Sequence, residues 1–223
     1  YTENVTSPMF SLASYFRDMG YLTEAFHANT PQNWNRNMVY PYLGFEKFNS
    51  ISDYAEALGE SPYLHSHPAD TADYAFMEQV SEENRGTPRF LFNVTMQSHS
   101  SYSTQYDNFD QEVWLTSTKK EYPKTDQYLS LVKKTDEAFE DLIGYFSAVE
   151  EPTIILMFGD HQPGLSVTGP ILKANGKDPA YLEDEDLRTL YEVPVFLWTN
   201  YEEGREQGLD ISANFLGNEI LSH

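Results

Sequence analysis

The sequence contains no cysteine. Disulfides, thiolate metal sites and cysteine nucleophiles are therefore excluded. Positive charge is scarce, with 14 Lys and Arg against 35 Asp and Glu and a net charge of -21. A protein that grips the phosphate backbone of nucleic acid needs a basic face, so nucleic acid is not an expected partner. No apolar run approaches the length of a membrane helix, and no signal peptide is visible. Any membrane anchor is expected outside this chain. No internal repeat and no low-complexity linker interrupts the sequence.

What is present is globular. The 223 residues are 40% hydrophobic and 15% aromatic, enough for one good-sized domain with a real core. Helical and strand periods alternate along the chain, which predicts an α/β layout. Ser7 and Pro8 open a predicted helix that Gly20 stops, with Met9, Leu12, Ala13, Phe16 and Met19 on one face. Predicted strands cover 21–27, 89–96, 153–158 and 193–198, and Pro194 restricts the last to a strand start or an edge. The clearest predicted helix runs from Gln127 to Phe146. Tyr128, Leu131, Val132, Phe139, Leu142, Ile143 and Phe146 form its apolar stripe, with Thr135 as the one gap. A helix, a short turn and an apolar strand make half of a βαβ crossover. In such sheets ligands collect outside the carboxyl ends of the strands.

Polar residues of a useful kind stand at those ends. His27 follows the first strand, His99 the second, and Asp160 with His161 the third. Asp and neutral His suit a divalent cation such as Mn²⁺ or Zn²⁺. Neighbours on a regular strand point to opposite faces, so both can reach one ion only from a turn. Gly159, Pro163 and Gly164 in "FGDHQPG" are consistent with one. The alternative is a loop with a surface Asp and His. In "FHANTPQNWNRNMVY" (26–40), Arg36 can hold a phosphate or carboxylate through paired hydrogen bonds. Trp34 can wall or stack on a ligand there. The alternative is a helix start with a packed Trp and a surface Arg. His65 and His67 have metal-compatible spacing, but Pro68 and polar neighbours predict a loop, and "EDED" (183–186) predicts a solvated acidic turn.

The joint pattern resembles a known family. "SLASYFRDMGYLTEAFHANTPQNWNRNMVYPYLGFEKF" (11–48) is similar to the corresponding stretch of lipoteichoic acid synthases and related phosphoglycerol transferases. These are sulfatase-like members of the alkaline phosphatase superfamily. "FNVTMQSHSSY" (92–102) resembles their second histidine segment, and "YLSLVKKTDEAFEDLIGYF" (128–146) the helix before their metal motif. "TIILMFGDHQPG" (153–164) resembles that motif, in the variant with Gln-Pro after Asp-His. "VPVFLWTN" (193–200) and "DISANFLGNEIL" (210–221) resemble the closing strand and final helix.

The resemblance implies a mostly parallel central sheet with helices on both faces, lacking the N-terminal strand. Residues 1–223 would form the C-terminal portion of an extracellular catalytic domain. Asp160 and His161 would be metal ligands, usually for Mn²⁺, with Mg²⁺ or Zn²⁺ as the other candidates. His27, Trp34, Arg36 and His99 would line the phosphoglycerol headgroup site, and Asn29 stands where some members have Asp. The implied reaction takes glycerol phosphate from phosphatidylglycerol through a covalent phosphothreonine to a polymer or glycolipid. The nucleophilic Thr and a metal-binding Glu precede this stretch in the family, so no catalytic nucleophile is expected in this chain. The parent would be membrane-anchored on the extracellular face of a bacterial plasma membrane. Two other readings stand beside this one. Another superfamily phosphotransferase, phosphodiesterase or sulfatase is the nearer, and a non-catalytic envelope domain that binds headgroups is the other.

Overall fold

The computed structural model describes residues 4–59, 63–116, 120–201, 208 and 210–223. The chain divides into two compact units. The first comprises Tyr1–Glu112 with Ser130–Leu142, the second Val113–Leu129 with Ile143–His223.

The first unit is built on a parallel three-stranded sheet, with β1 (Leu22–Phe26) between β2 (Lys47–Asn49) and β5 (Arg89–Asn93). Ala25 sits in register with Phe48 on one side and Phe92 on the other. Those three residues share a face with Phe90, because side chains alternate along a strand. That face packs on Ala13 of α1 (Leu12–Asp18) and on Val39 and Tyr40 of α2 (Arg36–Tyr42). The opposite face presents Phe26 and Leu91 to Tyr54 of α3 (Ile51–Leu58) and to Phe76 and Val80 of α4 (Asp70–Glu83). The burial of β1, including Thr23 and Glu24, and the apolar Phe90–Phe92 run of β5 thus reflect a sheet covered by helices on both faces.

The helix starts in this unit are set locally. The first begins at Ser11, whose side chain caps Ser14 while Ser14 returns the bond, four residues later than the predicted Ser7 start. Gly44 lets this corner close. Its φ is +96°, and a Cβ there would stand 2.6 Å from the backbone N and Cα of Ser14. Between α3 and α4 lies a short hairpin of β3 (Tyr63–Leu64) and β4 (His67–Pro68), where a plain loop was expected. Asn108 holds it by donating to the Tyr63 and His65 carbonyls at 3.0 and 3.1 Å, and His65 is buried against Tyr106.

The second unit carries β6 (Ile154–Phe158) and β7 (Val195–Thr199) as an antiparallel pair. The parallel arrangement therefore holds for the first unit's sheet, while the predicted closing strand runs against its partner. Pro194 falls just outside β7, where its missing N–H breaks no ladder bond. Asn200 fixes the approach to β6, accepting from Thr153 N at 2.8 Å and donating to the Val149 and Glu151 carbonyls at 3.0 Å each. The helices are α6 (Leu165–Ala174), α7 (Asp184–Thr189) and α8 (Leu216–Ser222). The predicted acidic turn at 183–186 is instead the start of α7. Asp184, Glu185 and Asp186 occupy its first turn, where the helix dipole favours negative charge.

The long helix α5 (Pro123–Ser147) contributes to both units. Its buried stripe is Leu131, Ala138, Leu142 and Phe146, while Val132 is exposed. Among the described residues no helix is long and apolar enough to cross a membrane.

Candidate functional site

In the first unit, the carboxyl ends of the parallel strands bring three predicted residues together. β1 ends at Phe26, and His27 follows with its backbone N–H bound to the Asn49 carbonyl at 2.9 Å. The imidazole is 1% exposed, and its Nδ1 donates to the Val94 carbonyl at 2.8 Å beyond the end of β5. Because Nδ1 carries the proton, Nε2 keeps the ring's lone pair. Burial pushes His27 down to about 4. The positive charges of Arg36, His99 and His67 push the same way, and the Val94 carbonyl opposes them. His27 is therefore neutral near pH 7.

Arg36 opens α2 and is half-buried, with one guanidinium nitrogen donating to the Asn33 carbonyl at 3.1 Å. Before it, Trp34 and Asn35 both adopt left-handed backbone, with φ of 58° and 49°. Left-handed geometry at residues other than glycine costs about 1 kcal/mol or more each and clusters at functional sites. It turns Trp34 outward, leaving this large apolar side chain 66% exposed beside Arg36. His99 lies on the loop after β5, exposed, with Nδ1 donating to the Ser100 carbonyl at 2.9 Å.

Sequence reasoning set His67 aside, yet the structure stands it against His99. The two rings meet edge to face with centroids 5.7 Å apart. Its signal was the H-x-H spacing of "LHSHP", which the β3–β4 hairpin turns into one buried and one half-buried imidazole.

Beneath these loops runs a buried polar network that the sequence reading did not identify. Gln97 accepts from the Asp70 backbone N–H at 3.0 Å and donates to Thr135 Oγ1 at 3.1 Å. Thr135 donates to Asp70 Oδ2 at 2.6 Å. Asp73, also buried, accepts from the Tyr54 hydroxyl. Burial raises Asp70 to about 6 despite its hydrogen bonds with Thr135, Thr95 and Gln97. Asp73 is also raised well above the ordinary carboxylate range, first by burial and then by the neighbouring Asp70, against the hydrogen bond from Tyr54. The readable signal was Asp at i and i+3 on the buried side of a helix start in "ADTADY".

Asp160 and His161 lie in the second unit, in the turn after β6. Their side chains are 77% and 72% exposed, and His161 Nε2 stands 3.6 Å from Asp160 Oδ2. Asp160 Oδ1 accepts from the His161 backbone N–H at 2.8 Å, so the turn aims both groups the same way. His161 Nδ1 donates to the Gln162 carbonyl at 3.0 Å, which leaves Nε2 as the lone-pair atom. Metal-bound histidines show this arrangement, with the far nitrogen fixed by a carbonyl or carboxylate. The donor chemistry of the pair thus fits a divalent cation. Among the described residues no group of three or more His, Asp or Glu is placed to hold one.

A family model for sulfatases matches residues 1–223. The chain belongs to the sulfatase family. It is 27% identical over 235 residues to a Rhizobium meliloti (strain 1021) protein named provisionally for cyclic beta-1,2-glucan modification, covering 99% of this chain and 34% of the relative. The fold resembles the Streptococcus pyogenes phosphoglycerol transferase GacH in complex with sn-glycerol-1-phosphate. The TM-score is 0.64 at 22% identity, over 84% of this chain and 46% of that one. It resembles equally the lipoteichoic acid synthase LtaP of Listeria monocytogenes, with a TM-score of 0.64 at 20% identity, over 88% and 47%. The chain therefore spans about a third of that curated relative and just under half of those solved chains. These likenesses show the fold of the chain, and the sulfatase family to which it belongs generally uses divalent metals.

Proposed function

We propose that this chain is part of a metal-dependent transferase that moves glycerol phosphate from phosphatidylglycerol to a cell-envelope polymer or glycan. Residues 1–223 then belong to one sulfatase-like catalytic domain of a longer, membrane-anchored protein acting on the extracellular face. The nucleophilic threonine belongs to that longer protein. The observation that supports this best is the cluster of the Arg36 guanidinium with the His27 and His99 imidazoles at the carboxyl ends of the parallel strands, in a chain of net charge -21. The glucan-modification relative favours a glycan as the acceptor.

In this reading each residue has a distinct task. Arg36 offers two parallel N–H donors to phosphate oxygens and neutralises their charge. His27 is neutral and keeps its Nε2 lone pair, so it accepts from a glycerol hydroxyl. His99 holds its Nδ1 proton against Ser100 and turns Nε2 to the headgroup. Trp34 gives the glycerol carbons an apolar wall. Asp160 and His161 are the residues that would hold a divalent cation, Mn²⁺ or alternatively Mg²⁺ or Zn²⁺, whose chemistry when bound is to neutralise phosphate oxygens and favour ionisation of an attacking hydroxyl.

The test is a titration of glycerol 1-phosphate followed by NMR on the wild type and on Arg36→Ala. Binding that weakens about tenfold or more in the variant, with an unchanged circular dichroism spectrum, is the expected result. No binding by the wild type, or equal binding by both, overturns the reading.

A further inference from the structure

We infer that His67 is a further phosphate-binding residue of the headgroup site, supplied by the β3–β4 hairpin; this rests on the reading proposed above. The first ground is position. The His67 ring meets His99 edge to face at 5.7 Å, and its charge reaches His27 as those of Arg36 and His99 do. His67 therefore belongs to the same cluster, though it comes from a separate element some forty residues beyond His27 in the chain.

The second ground is that the contact is built. The Ser100 carbonyl accepts from His99 Nδ1 at 2.9 Å and so fixes the ring that His67 meets edge to face. Just behind them, Asp70 follows His67 by three residues and Gln97 precedes His99 by two. The bond between Asp70 N–H and Gln97, 3.0 Å long and buried, ties the two segments together, and Thr135 fastens both to α5. On its other side the hairpin is held by Asn108. A hairpin so short is not stable alone. These ties fix the place of His67 rather than leaving it to a surface loop.

The third ground is charge. The charges acting on His67 are those of His99 and His65, and those acting on His27 are Arg36, His99 and His67. All are cationic or able to become so, and no carboxylate is among them. Like charges gathered in a partly buried place disfavour one another's protonation. A phosphate placed among them reverses that, accepting hydrogen bonds from each ring and from the guanidinium. The ligand class is a phosphate ester, whether in a lipid headgroup or in free glycerol phosphate.

The test compares wild type, His67→Gln and Arg36→Ala by NMR titration with glycerol 1-phosphate and, separately, inorganic phosphate. Glutamine keeps a polar side chain with an N–H donor at this position but cannot carry charge. His67→Gln is expected to weaken both ligands about five- to tenfold, with its circular dichroism unchanged. In the wild type, the His67 ring nitrogens are expected to shift on saturation together with those of His99. Equal affinity in His67→Gln, while Arg36→Ala loses binding, overturns the role of His67 and leaves the headgroup reading standing. No binding by the wild type overturns both. Should His67→Gln fail to fold, the ring nitrogens of the wild type decide. A shift at His99 with none at His67 overturns the inference. Vesicles containing phosphatidylglycerol, titrated in parallel, distinguish the lipid headgroup from the free ester.

Discussion

The buried carboxyl of Asp70 should make the first unit less stable as the pH rises, the reverse of the usual behaviour of an acidic side chain. Asp70 is 0% exposed at the first position of α4. Thr135, Thr95 and Gln97 offer it hydrogen bonds that favour the charged form, but loss of hydration outweighs them and raises it from 3.8 to about 6. In the unfolded chain the same group ionises near pH 3.8, its ordinary value. Between those values the folded protein holds a proton that the unfolded chain has released. Stability therefore falls as pH rises through this window and is flat above it. At 1.36 kcal/mol per pH decade the full difference is about 3 kcal/mol, of which about 1.3 kcal/mol falls between pH 5 and 7. Asp70→Asn removes the ionisation while keeping an acceptor for Thr135. Urea unfolding of both proteins across pH 5 to 7 reads the effect, because titrating groups that Asp70 does not influence cancel in the difference between the curves. The variant should gain on the wild type by about 1 kcal/mol over that range. A ¹³C titration of the Asp70 carboxyl should place its midpoint near 6. Parallel urea curves, or a carboxyl titrating at or below 4, would refute the reasoning.

Two further expectations concern the α1 corner at Gly44 and the turn after β6. Gly44→Ala forces a Cβ to within 2.6 Å of the Ser14 backbone at a φ of +96°, so the α1 corner must open, at a cost of about 2–4 kcal/mol; a thermal midpoint within a degree of wild type would contradict this. His161→Ala should lower Mn²⁺ affinity about tenfold or more, read by electron paramagnetic resonance of the free ion. Unchanged affinity would remove His161 from the proposed metal site.

Much of the architecture was legible because it is periodic. The apolar runs of β5, β6 and β7 and the stripe of α5 each register as a one-dimensional pattern, and their elements fall where the pattern puts them. Boundaries moved where capping decided them. Ser11 rather than Ser7 starts α1, because only Ser11 has a partner three residues on that returns its hydrogen bond. The direction of β7 was not legible, because a strand reads the same whether its partner runs parallel or antiparallel. Thr135 looked like a defect in the α5 stripe. It is the point where Asp70 and Gln97 attach, a role that exists only once residues 65 and 38 positions away are folded against it.

The sequence by itself determined the chemistry on offer: no thiol, little positive charge, and His, Arg and Asp-His at the ends of apolar runs. Those facts depend on composition and on neighbours along the chain, so they survive without coordinates. Only the tertiary structure decided which of these groups share a field. It set His67 against His99, drove His27 to its neutral form, and buried Asp70 and Asp73 beneath them. Burial and electrostatic reach depend on distance in space, and a hairpin held by Asn108 and Gln97 shortens that distance without leaving a periodic trace in the sequence.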